Sequence, residues 1–493
     1  MTKYAFAIII CLLGLLPQCV EAQVEERMLP EVEIGSKDSQ STLMPRRYRY
    51  RVCFKDKADS PYSLERPGEF LSAKSLARRK KFGLKVDQYD LPVSPTYLKR
   101  LRERGFKVLH QSKWNNSAVI ETTDTIGAEK LTEVGFITSV TRVWQAPEDK
   151  EESSSSDFLD DLYTSIVTPD TAKSISPYGP NPLQVAHLGV DSLHAIGLQG
   201  QGVTIAVIDG GFKRANRIAG LRGVRIVGTK NFVDTGDIYA TSGDHGTMVL
   251  SCLAAFQPFG LIGTAPGAEF YLILSEDGAS EYPVEEDAWC AAIEYADSVG
   301  VDLVNSSLGY TKFDTKTMNH TYQDLNGRTA PCSRAASLAA GRGIVVVNSA
   351  GNSGDDTWKL IGTPADARDI LAVGAVDETG LNTFFSSIGP SIDGRIKPDV
   401  MALGYEVRVY DGEGELTQAD GTSFASPLLC GGVACLMQAF PTMNPTDLIH
   451  LVKTSGNNAL HPDNVFGYGV PNLWKAYIEA SKNPTYSSTR QQP

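Results

Sequence analysis

Positive charge is scarce in this 493-residue sequence, which has 46 lysines and arginines against 58 aspartates and glutamates. The resulting net charge of −12 argues against a nucleic-acid partner. Long apolar runs and internal repeats are also lacking, which excludes a helical membrane protein and a repeat architecture. What remains is a chain with 42% hydrophobic residues, a composition that predicts two or three globular folding units.

Cysteine is scarce as well. Of the eight cysteines, two lie in the first 22 residues, one is Cys53 and five lie between residues 252 and 435, which excludes a disulfide framework. Cys290 and Cys332 could face each other from neighbouring helices, but the sequence leaves their pairing open.

The first 22 residues have the pattern of a secretory signal peptide. Lys3 supplies a basic start, the apolar run AFAIIICLLGLL follows, and Val20-Glu21-Ala22 is a small-residue cleavage site. This run is too short for a comfortable membrane span. We therefore expect a secreted or periplasmic protein with no membrane span. The alternative of a lipoprotein attached through Cys19 is disfavoured by Gln18.

The most informative motif is GTSFASP at 421–427, which places Ser423 among small residues directly before an apolar, helix-like run. A serine at a helix start lies beside free N–H groups and the positive end of the helix dipole, which favour developing negative charge. Such a serine is most often only a cap. Its interpretation as a nucleophile therefore requires a base, an orienting acid and an oxyanion donor elsewhere.

Three other motifs supply those groups. The buried-strand pattern VTIAVIDGGF carries Asp209 at its end, and the glycine-rich turn GDHGTMVLSCLAA leads into a helix that begins near His245. The strand VVVNSAGNSG is followed by a turn with Asn352. Each residue has an ordinary alternative as a turn residue, a helix cap or an Asx turn. Together the four motifs give the chain order Asp, His, Asn, Ser, and the order Asp-His-Ser is that of the subtilisin triad.

On these motifs the sequence resembles the subtilisin-like serine proteases, or subtilases (peptidase family S8), over roughly residues 175–480. The resemblance implies an α/β fold with a doubly wound, mainly parallel sheet covered by helices. It implies a serine endopeptidase that hydrolyses polypeptides through an acyl-enzyme and needs no cofactor for its chemistry. Ser423 would be the nucleophile, His245 the general base and acid, and Asp209 the residue that orients the imidazole. Asn352 would bind the oxyanion together with the Ser423 N–H.

Two further details concern the same resemblance. The segment NSSLG resembles the subtilase strand that pairs with an extended substrate, so Ser307, Leu308 and Gly309 are expected to bind substrate. Gly210 is a departure, because subtilases usually have a small hydroxyl residue after the catalytic aspartate. A side-chain hydrogen bond is expected to be lost there.

An inserted stretch at 311–332 carries Asp314, Asp324 and Asn326 near the turn residue Gly327. Many subtilases bind calcium, and oxygen ligands near such a turn would suit a structural calcium ion. Solvated loop acids are the commoner explanation, and the sequence identifies no metal ligands.

Acidic residues also surround the expected cleft wall near residues 280–282, where the sequence has Glu276, Glu281, Glu285 and Glu286. They could favour basic residues upstream of the cleaved bond. The alternative, which the sequence favours, is a solvated helix start stabilised by acids.

Residues 47–147 have the pattern of a small ferredoxin-like α+β unit, with a strand, two helices, two strands around an Asn-rich turn, a helix and a final strand. Subtilases commonly carry such a propeptide, so the resemblance implies an intramolecular inhibitor. This unit has 20 Lys/Arg against 11 Asp/Glu, a net charge of +9, and the rest of the chain carries −21. Complementary fields could therefore help to hold the two parts together.

The complete predicted organisation has six segments. A cut within 145–177 would release the propeptide, whose C-terminal end is expected to occupy the active-site cleft. The segments are a signal peptide at 1–22, a flexible linker at 23–46, the propeptide at 47–147, an acidic Ser-rich linker at 148–176, the catalytic domain at 177–480 and a polar tail at 481–493.

Within the catalytic domain, near-continuous apolar strands alternate with helices, a pattern typical of a parallel sheet covered on both faces. Strands are predicted near 203–208, 269–274, 302–306, 344–349 and 370–375, and helices near 245–256, 285–299, 333–341, 423–438 and 445–454.

Two other classes of protein are alternatives to the protease. One is a catalytically silent subtilase fold that acts as an exported binding protein, against which the intact set of four residues argues. The other is an exported esterase of the α/β-hydrolase type. The sequence around Ser423 is GTSFA rather than G-x-S-x-G, and the triad order is wrong for that fold.

Overall fold

The computed structural model describes residues 45–147, 176–483 and 486. The predicted signal peptide and most of the two predicted linkers and of the predicted tail lie outside the described residues.

The small unit forms a four-stranded sheet in the order β2-β3-β1-β4, and every neighbouring pair is antiparallel. In β1 the alternate residues Tyr50, Val52 and Phe54 are buried, because successive side chains of a strand point to opposite faces. This order and the helix positions agree with the predicted ferredoxin-like α+β unit. Its elements are β1 (Tyr48–Phe54), α1 (Ala73–Lys81), α2 (Pro95–Glu103), β2 (Lys107–Ser112), β3 (Ser117–Thr122), α3 (Thr125–Glu129) and β4 (Ile137–Gln145).

The rest of the described chain is built around a seven-stranded sheet in the order β13-β12-β11-β10-β5-β9-β6, whose neighbouring strands are parallel. Its elements are α4 (Leu183–Ala186), α5 (Val190–Ala195), β5 (Thr204–Asp209), β6 (Arg225–Asn231), α6 (His245–Ala254), β7 (Phe256–Gln257), β8 (Leu261–Ile262), β9 (Glu269–Leu274), α7 (Val284–Val299), β10 (Leu303–Ser306), α8 (Pro331–Ala340), β11 (Val345–Ser349), β12 (Leu371–Val376), β13 (Val400–Leu403), β14 (Val407–Tyr410), β15 (Leu416–Ala419), α9 (Thr422–Ala439), α10 (Pro445–Thr454) and α11 (Leu473–Ser481).

Helices cover both faces of this sheet. In β5 the side chains of Ile205 and Val207 join the apolar core beneath α6 and α9, whereas Ala206 and Ile208 join the core beneath α7 and α8. Strands buried on both faces need apolar residues at every position, which explains their continuous apolar runs. The predicted α/β fold class is thereby confirmed.

All five predicted strands and all five predicted helices are present, with ends within two residues of the prediction. The elements missed include strands β6 and β13, helix α11 and the short elements α4, α5, β7, β8, β14 and β15. β6 lies at the edge of the sheet and is only partly buried, so it lacks a continuous apolar run, and β13 is only four residues long. Helix α8 begins two residues early, at Pro331, because proline suits the first helical position.

Two findings concern the apolar residues and the thiols. Among the described residues one helix, α9, is long and apolar enough to cross a membrane, but 83% of its apolar window is buried inside the protein, as expected of a core helix. Every described cysteine is a free thiol, so Cys290 and Cys332 are not paired with each other.

Candidate active site

The four predicted residues of the active site meet at the carboxyl edge of the large sheet. Asp209 is the last residue of β5, and Asn352 lies in the turn that follows β11. His245 is the first residue of α6, and Ser423 is the second residue of α9. Open α/β sheets place ligands and chemistry at this edge, where strands end and helices begin.

Asp209 and His245 form a buried acid–base pair, in which His245 Nδ1 lies 2.6 Å from Asp209 Oδ1. Since a carboxylate can only accept a hydrogen bond, we assign the proton of this contact to Nδ1, which leaves Nε2 to act as a base. The Gly210 N–H donates to the same Asp209 oxygen at 2.8 Å. The other carboxylate oxygen, Oδ2, is buried and has no hydrogen-bond partner among the described residues, in keeping with the missing hydroxyl at position 210.

Ser423 is tied to the end of β10 by two hydrogen bonds. Its hydroxyl donates to the Ser307 carbonyl oxygen at 3.3 Å, and the Ser307 hydroxyl donates to the Ser423 carbonyl oxygen at 2.8 Å. The ring of Phe424, the next residue, lies 5.9 Å from the His245 ring, measured between centroids. The start of α9 is thereby joined both to the predicted substrate strand and to the predicted base.

Asn352 is oriented by Thr422, the residue that precedes Ser423. The Thr422 N–H and hydroxyl both donate to Asn352 Oδ1, at 2.9 Å and 2.8 Å. The Thr422 hydroxyl oxygen also accepts from the Gly351 N–H at 3.2 Å. These two bonds to its oxygen fix the orientation of the Asn352 side-chain amide. Sequence reasoning missed Thr422, because nothing in the motif distinguishes its hydroxyl from that of Ser423.

The predicted substrate strand, Ser307–Gly309, continues directly from β10. The Leu308 side chain is buried in the core, and the Leu308 carbonyl oxygen accepts from the Asn348 side chain at 3.0 Å. Tyr310 then pairs with Thr363 through two backbone hydrogen bonds, of 2.8 Å and 3.2 Å. The segment is therefore fixed from both ends, and its contribution to binding would come from its backbone.

The glutamates near the cleft wall do not form a solvated helix start, because Glu276, Glu285 and Glu286 are all buried. Tyr310 donates its hydroxyl proton to Glu276 at 2.6 Å, and Glu285 accepts from the backbone N–H groups of Asp277 and Tyr282, each at 3.0 Å. Burial raises the pKa of Glu276 to about 7. Burial also raises the pKa values of Glu281 and Glu285 well above the usual range.

Carboxylate oxygens of Glu276, Glu281 and Glu285 lie within 4.8 Å of one another, so these residues are near enough to hold one cation. Burial and mutual repulsion favour their protonated, neutral forms, which bind cations poorly. Both oxygens of Glu285 also already accept backbone hydrogen bonds. The donor set therefore fits hydrogen bonding better than a metal ion.

The inserted segment uses its acidic side chains as local hydrogen-bond acceptors. Asp314 accepts from the Glu281 N–H at 3.2 Å, and Asp324 accepts from the Thr321 N–H at 2.7 Å. Asn326 accepts from the N–H groups of Arg328 and Thr329. These contacts hold the loop in shape, and none of them identifies a metal ligand.

The last strand of the small unit ends at the expected cleft wall. The ring of Trp144, near the end of β4, meets the ring of Tyr282 edge to face at 6.4 Å between centroids. Its indole N–H lies 3.4 Å from the Ser280 hydroxyl. Trp144, Tyr282 and the neighbouring Val143 and Val284 are all buried together, so the small unit covers this wall.

Comparison with known proteins agrees with this architecture. The model of the Subtilase family matches residues 200–469, and that of the peptidase S8 propeptide domain of Bacteroidota matches residues 49–157. Subtilisin DY from Bacillus licheniformis is 31% identical over 302 residues, which cover 60% of this chain and 97% of that protein. A subtilisin from Bacillus pumilus is 30% identical over 271 residues, covering 54% of this chain and 86% of the relative.

A similar fold is found in the crystal structure of a mutant of the epidermin leader peptide processing serine protease from Staphylococcus aureus. Its TM-score is 0.59 at 18% sequence identity, and the match covers 87% of this chain and 99% of that one. At this identity the likeness concerns the fold alone.

These matches define a serine-type endopeptidase that carries a propeptide domain. The chain belongs to the subtilase family, peptidase family S8. The predicted family, fold class and enzyme class are thereby confirmed. The α/β-hydrolase alternative is wrong.

Proposed function

We propose that this protein is a secreted serine endopeptidase, made as a self-inhibited zymogen, that cleaves polypeptides with the triad Asp209, His245 and Ser423. The observation that carries the proposal is the 2.6 Å contact between His245 Nδ1 and Asp209 Oδ1 beside the Ser423-bearing start of α9. The comparisons give no support to the alternative of a silent binding protein.

In the proposed reaction His245 Nε2 removes the hydroxyl proton of Ser423 as Oγ attacks the substrate carbonyl carbon. The imidazolium is stabilised by Asp209 and returns the proton to the amine that leaves, which gives an acyl-enzyme. A water molecule activated by the same imidazole then releases the acyl group and restores Ser423.

The oxyanion of each tetrahedral intermediate would lie between the Asn352 side-chain NH₂ group and the Ser423 backbone N–H. Donors that are already oriented before the reaction stabilise such charge without reorganisation, and Thr422 supplies that orientation. The substrate would add as an extended strand beside Ser307–Gly309, so main-chain hydrogen bonds would supply much of its affinity. Leu308, being buried, would take part through its backbone.

Residues 47–147 would be the propeptide and residues 177–480 the catalytic domain. Self-cleavage would occur within 145–177. The contact of Trp144 with Tyr282 and Ser280 supports the proposal that the end of β4 leads into the cleft and blocks it. Export through residues 1–22 rests on the sequence pattern alone. Structural calcium is retained as a family expectation without assigned ligands.

Wild-type protein and the Ser423→Ala variant test the proposal directly. Both would be followed by gel electrophoresis and N-terminal sequencing, with casein as the substrate. We expect the wild type to lose about the first 150–175 residues and then to digest casein, and the variant to stay full length and inactive. Mature-size protein that forms from the variant with no other protease present would contradict self-cleavage. A processed wild type that leaves casein and peptides intact would favour the silent fold.

A further inference from the structure

The small unit contacts α7 along its whole length, about 24 Å for 16 residues. Near the N-terminal end of α7, the Arg51 guanidinium donates to Asp287 at 2.6 Å. In the middle, Glu294 accepts from the Lys113 N–H at 2.7 Å. At the C-terminal end, the Ser72 N–H donates to the Ser298 carbonyl oxygen at 3.0 Å.

This last contact lies just before α1, which we call the anchor helix (Ala73–Lys81). Two of its side chains, Arg78 and Arg79, are only 4% and 2% exposed. Arg79 donates to both carboxylate oxygens of Asp297, each at 3.0 Å, and Arg78 donates to the same carboxylate. Arg78 also donates to the carbonyl oxygens of Val301 and Arg342. Burying an unpaired guanidinium group is costly, and these partners offset that cost for both arginines.

The backbone of the catalytic unit is shaped for the anchor helix at two glycines. A Cβ atom on Gly300 would lie 2.7 Å from the Ser75 nitrogen and the Lys74 Cβ. A Cβ atom on Gly343 would lie 2.9 Å from the Phe82 ring. Both glycines also have positive φ, at 90° and 84°, which other residues adopt only with strain. Side chains at either position would push the anchor helix away.

The anchor helix lies at the edge of the sheet opposite the active site. Val301 and Arg342 precede β10 and β11, and Lys74 contacts the hydroxyl of Thr204, the first residue of β5. Asp209 is the last residue of β5, about 17 Å away for a strand of this length. The anchor helix can therefore neither touch nor block the cleft.

The charges at this edge favour attachment over a wide range of pH. Asp297 is fully buried, and burial alone would raise its pKa, but Lys113, Arg79 and Arg78 outweigh that effect and hold its pKa at about 2. A second buried acid, Asp90, accepts from Arg79 at 2.8 Å. Asp297 therefore compensates the guanidinium groups at any pH well above about 2.

We propose that, beside its contacts along α7, the propeptide has two separable attachments with different tasks, a conclusion that rests on the proposed role of 47–147 as the propeptide. The end of β4 covers the cleft at the carboxyl edge. The anchor helix occupies a separate docking surface for paired arginines at the amino edge, formed by Asp297, the carbonyl oxygens of Val301 and Arg342, and the two glycines. Cutting the linker leaves this attachment intact. Dissociation of the anchor helix then determines when the propeptide leaves the catalytic domain. It also leaves a vacant surface that fits a helix bearing an Arg-Arg pair.

The test uses the full chain with Ser423→Ala, so that it does not depend on catalysis, and with a site for a foreign protease placed in the linker 148–176. After that cut, the rate at which the propeptide leaves is measured by size-exclusion chromatography and surface capture. We expect Arg78→Ala with Arg79→Ala to speed its departure by roughly 100-fold or more, because Asp297 then stays buried with Lys113 as the one cation left of its three. The matched control, Lys99→Ala on α2 with Arg104→Ala just after it, removes the same charge from exposed positions and is expected to change the rate less than about threefold.

Should the double arginine variant fail to fold, Arg79→Lys and Asp297→Asn report on the same surface. Arg79→Lys keeps the charge but loses the two-point grip, so it is expected to speed departure by about tenfold. Equal rates for the arginine variants and the control would overturn the proposal. Failure of the wild-type protein to digest casein would instead count against the proposed function, and it would leave these rates unaffected.

Discussion

Replacing Thr422 by valine tests whether the oxyanion donor is oriented in advance. The change keeps the size of the side chain but removes the 2.8 Å hydrogen bond from the Thr422 hydroxyl to Asn352 Oδ1. It also removes the acceptor of the Gly351 N–H, while the 2.9 Å bond from the Thr422 N–H remains. The amide of Asn352 would therefore be loosened rather than released.

The size of the effect follows from the bonds that are lost. Two neutral hydrogen bonds of about 0.5–1.5 kcal/mol each correspond to a loss of about 1–3 kcal/mol in orientation, hence a kcat about 5- to 150-fold lower. Removing the donor itself should cost more. The magnitude of about 10²–10³ is taken from a subtilisin, a relative of this protein, and sets the expectation for Asn352→Ala.

The assay measures kcat and KM on a fluorogenic peptide, with active sites counted by a fluorophosphonate so that misfolded protein does not enter the rate. Thr422→Ser keeps the hydroxyl and is the matched control, which should retain nearly the wild-type kcat. In the double variant with Asn352→Ala, the valine should add little, because the group that it orients is gone. A wild-type kcat for Thr422→Val, or full additivity in the double variant, would refute the proposed orientation.

Two further predictions concern stability in the Ser423→Ala background, measured as the free energy of unfolding by urea between pH 4 and pH 8. Burial raises the pKa of Glu276 to about 7 from an ordinary 4.5, so its contribution is full below pH 4.5 and is lost as the pH rises through 7. The free energy of unfolding of the parent should therefore fall by up to about 3 kcal/mol across that window, and Glu276→Gln should abolish the fall. An unchanged pH dependence in the variant would contradict this. Burial, together with the charges of Arg49 and Arg51, lowers the pKa of His110 to about 4. Its contribution is present above pH 6.5 and is lost as the pH falls through 4, so His110→Phe should reduce acid destabilisation by up to about 3 kcal/mol. A His110→Phe variant that unfolds in acid as readily as the parent would rule this out.

The sequence predicted those parts of the fold in which neighbouring residues carry the signal. The strands around Val207 and Val347 are apolar at every position because both of their faces are buried, and their ends were located within one residue. The motifs around Asp209, His245 and Ser423 are similarly local. They specify a residue together with the turn or helix start that presents it.

What the sequence could not supply depends on partners that are distant along the chain. Arg78 and Asp297 are separated by 219 positions, and the basic run that contains Arg78 reads as an ordinary exposed helix until both partners are in place. Glu276 likewise reads as a solvated acid, because its partner Tyr310 lies beyond α7 and β10. The acidic segment was therefore misinterpreted, although its composition was known.

The central claim, that Ser423 is a nucleophile activated by His245, is tested most directly by mapping the covalent site of a fluorophosphonate. The wild-type protein, freed of its propeptide, would be labelled, digested and sequenced by mass spectrometry. We expect one labelled peptide, modified at Ser423. Labelling of the His245→Ala variant should be slower by about a thousandfold or more. A label on another serine, or equal labelling of the His245→Ala variant, would contradict it.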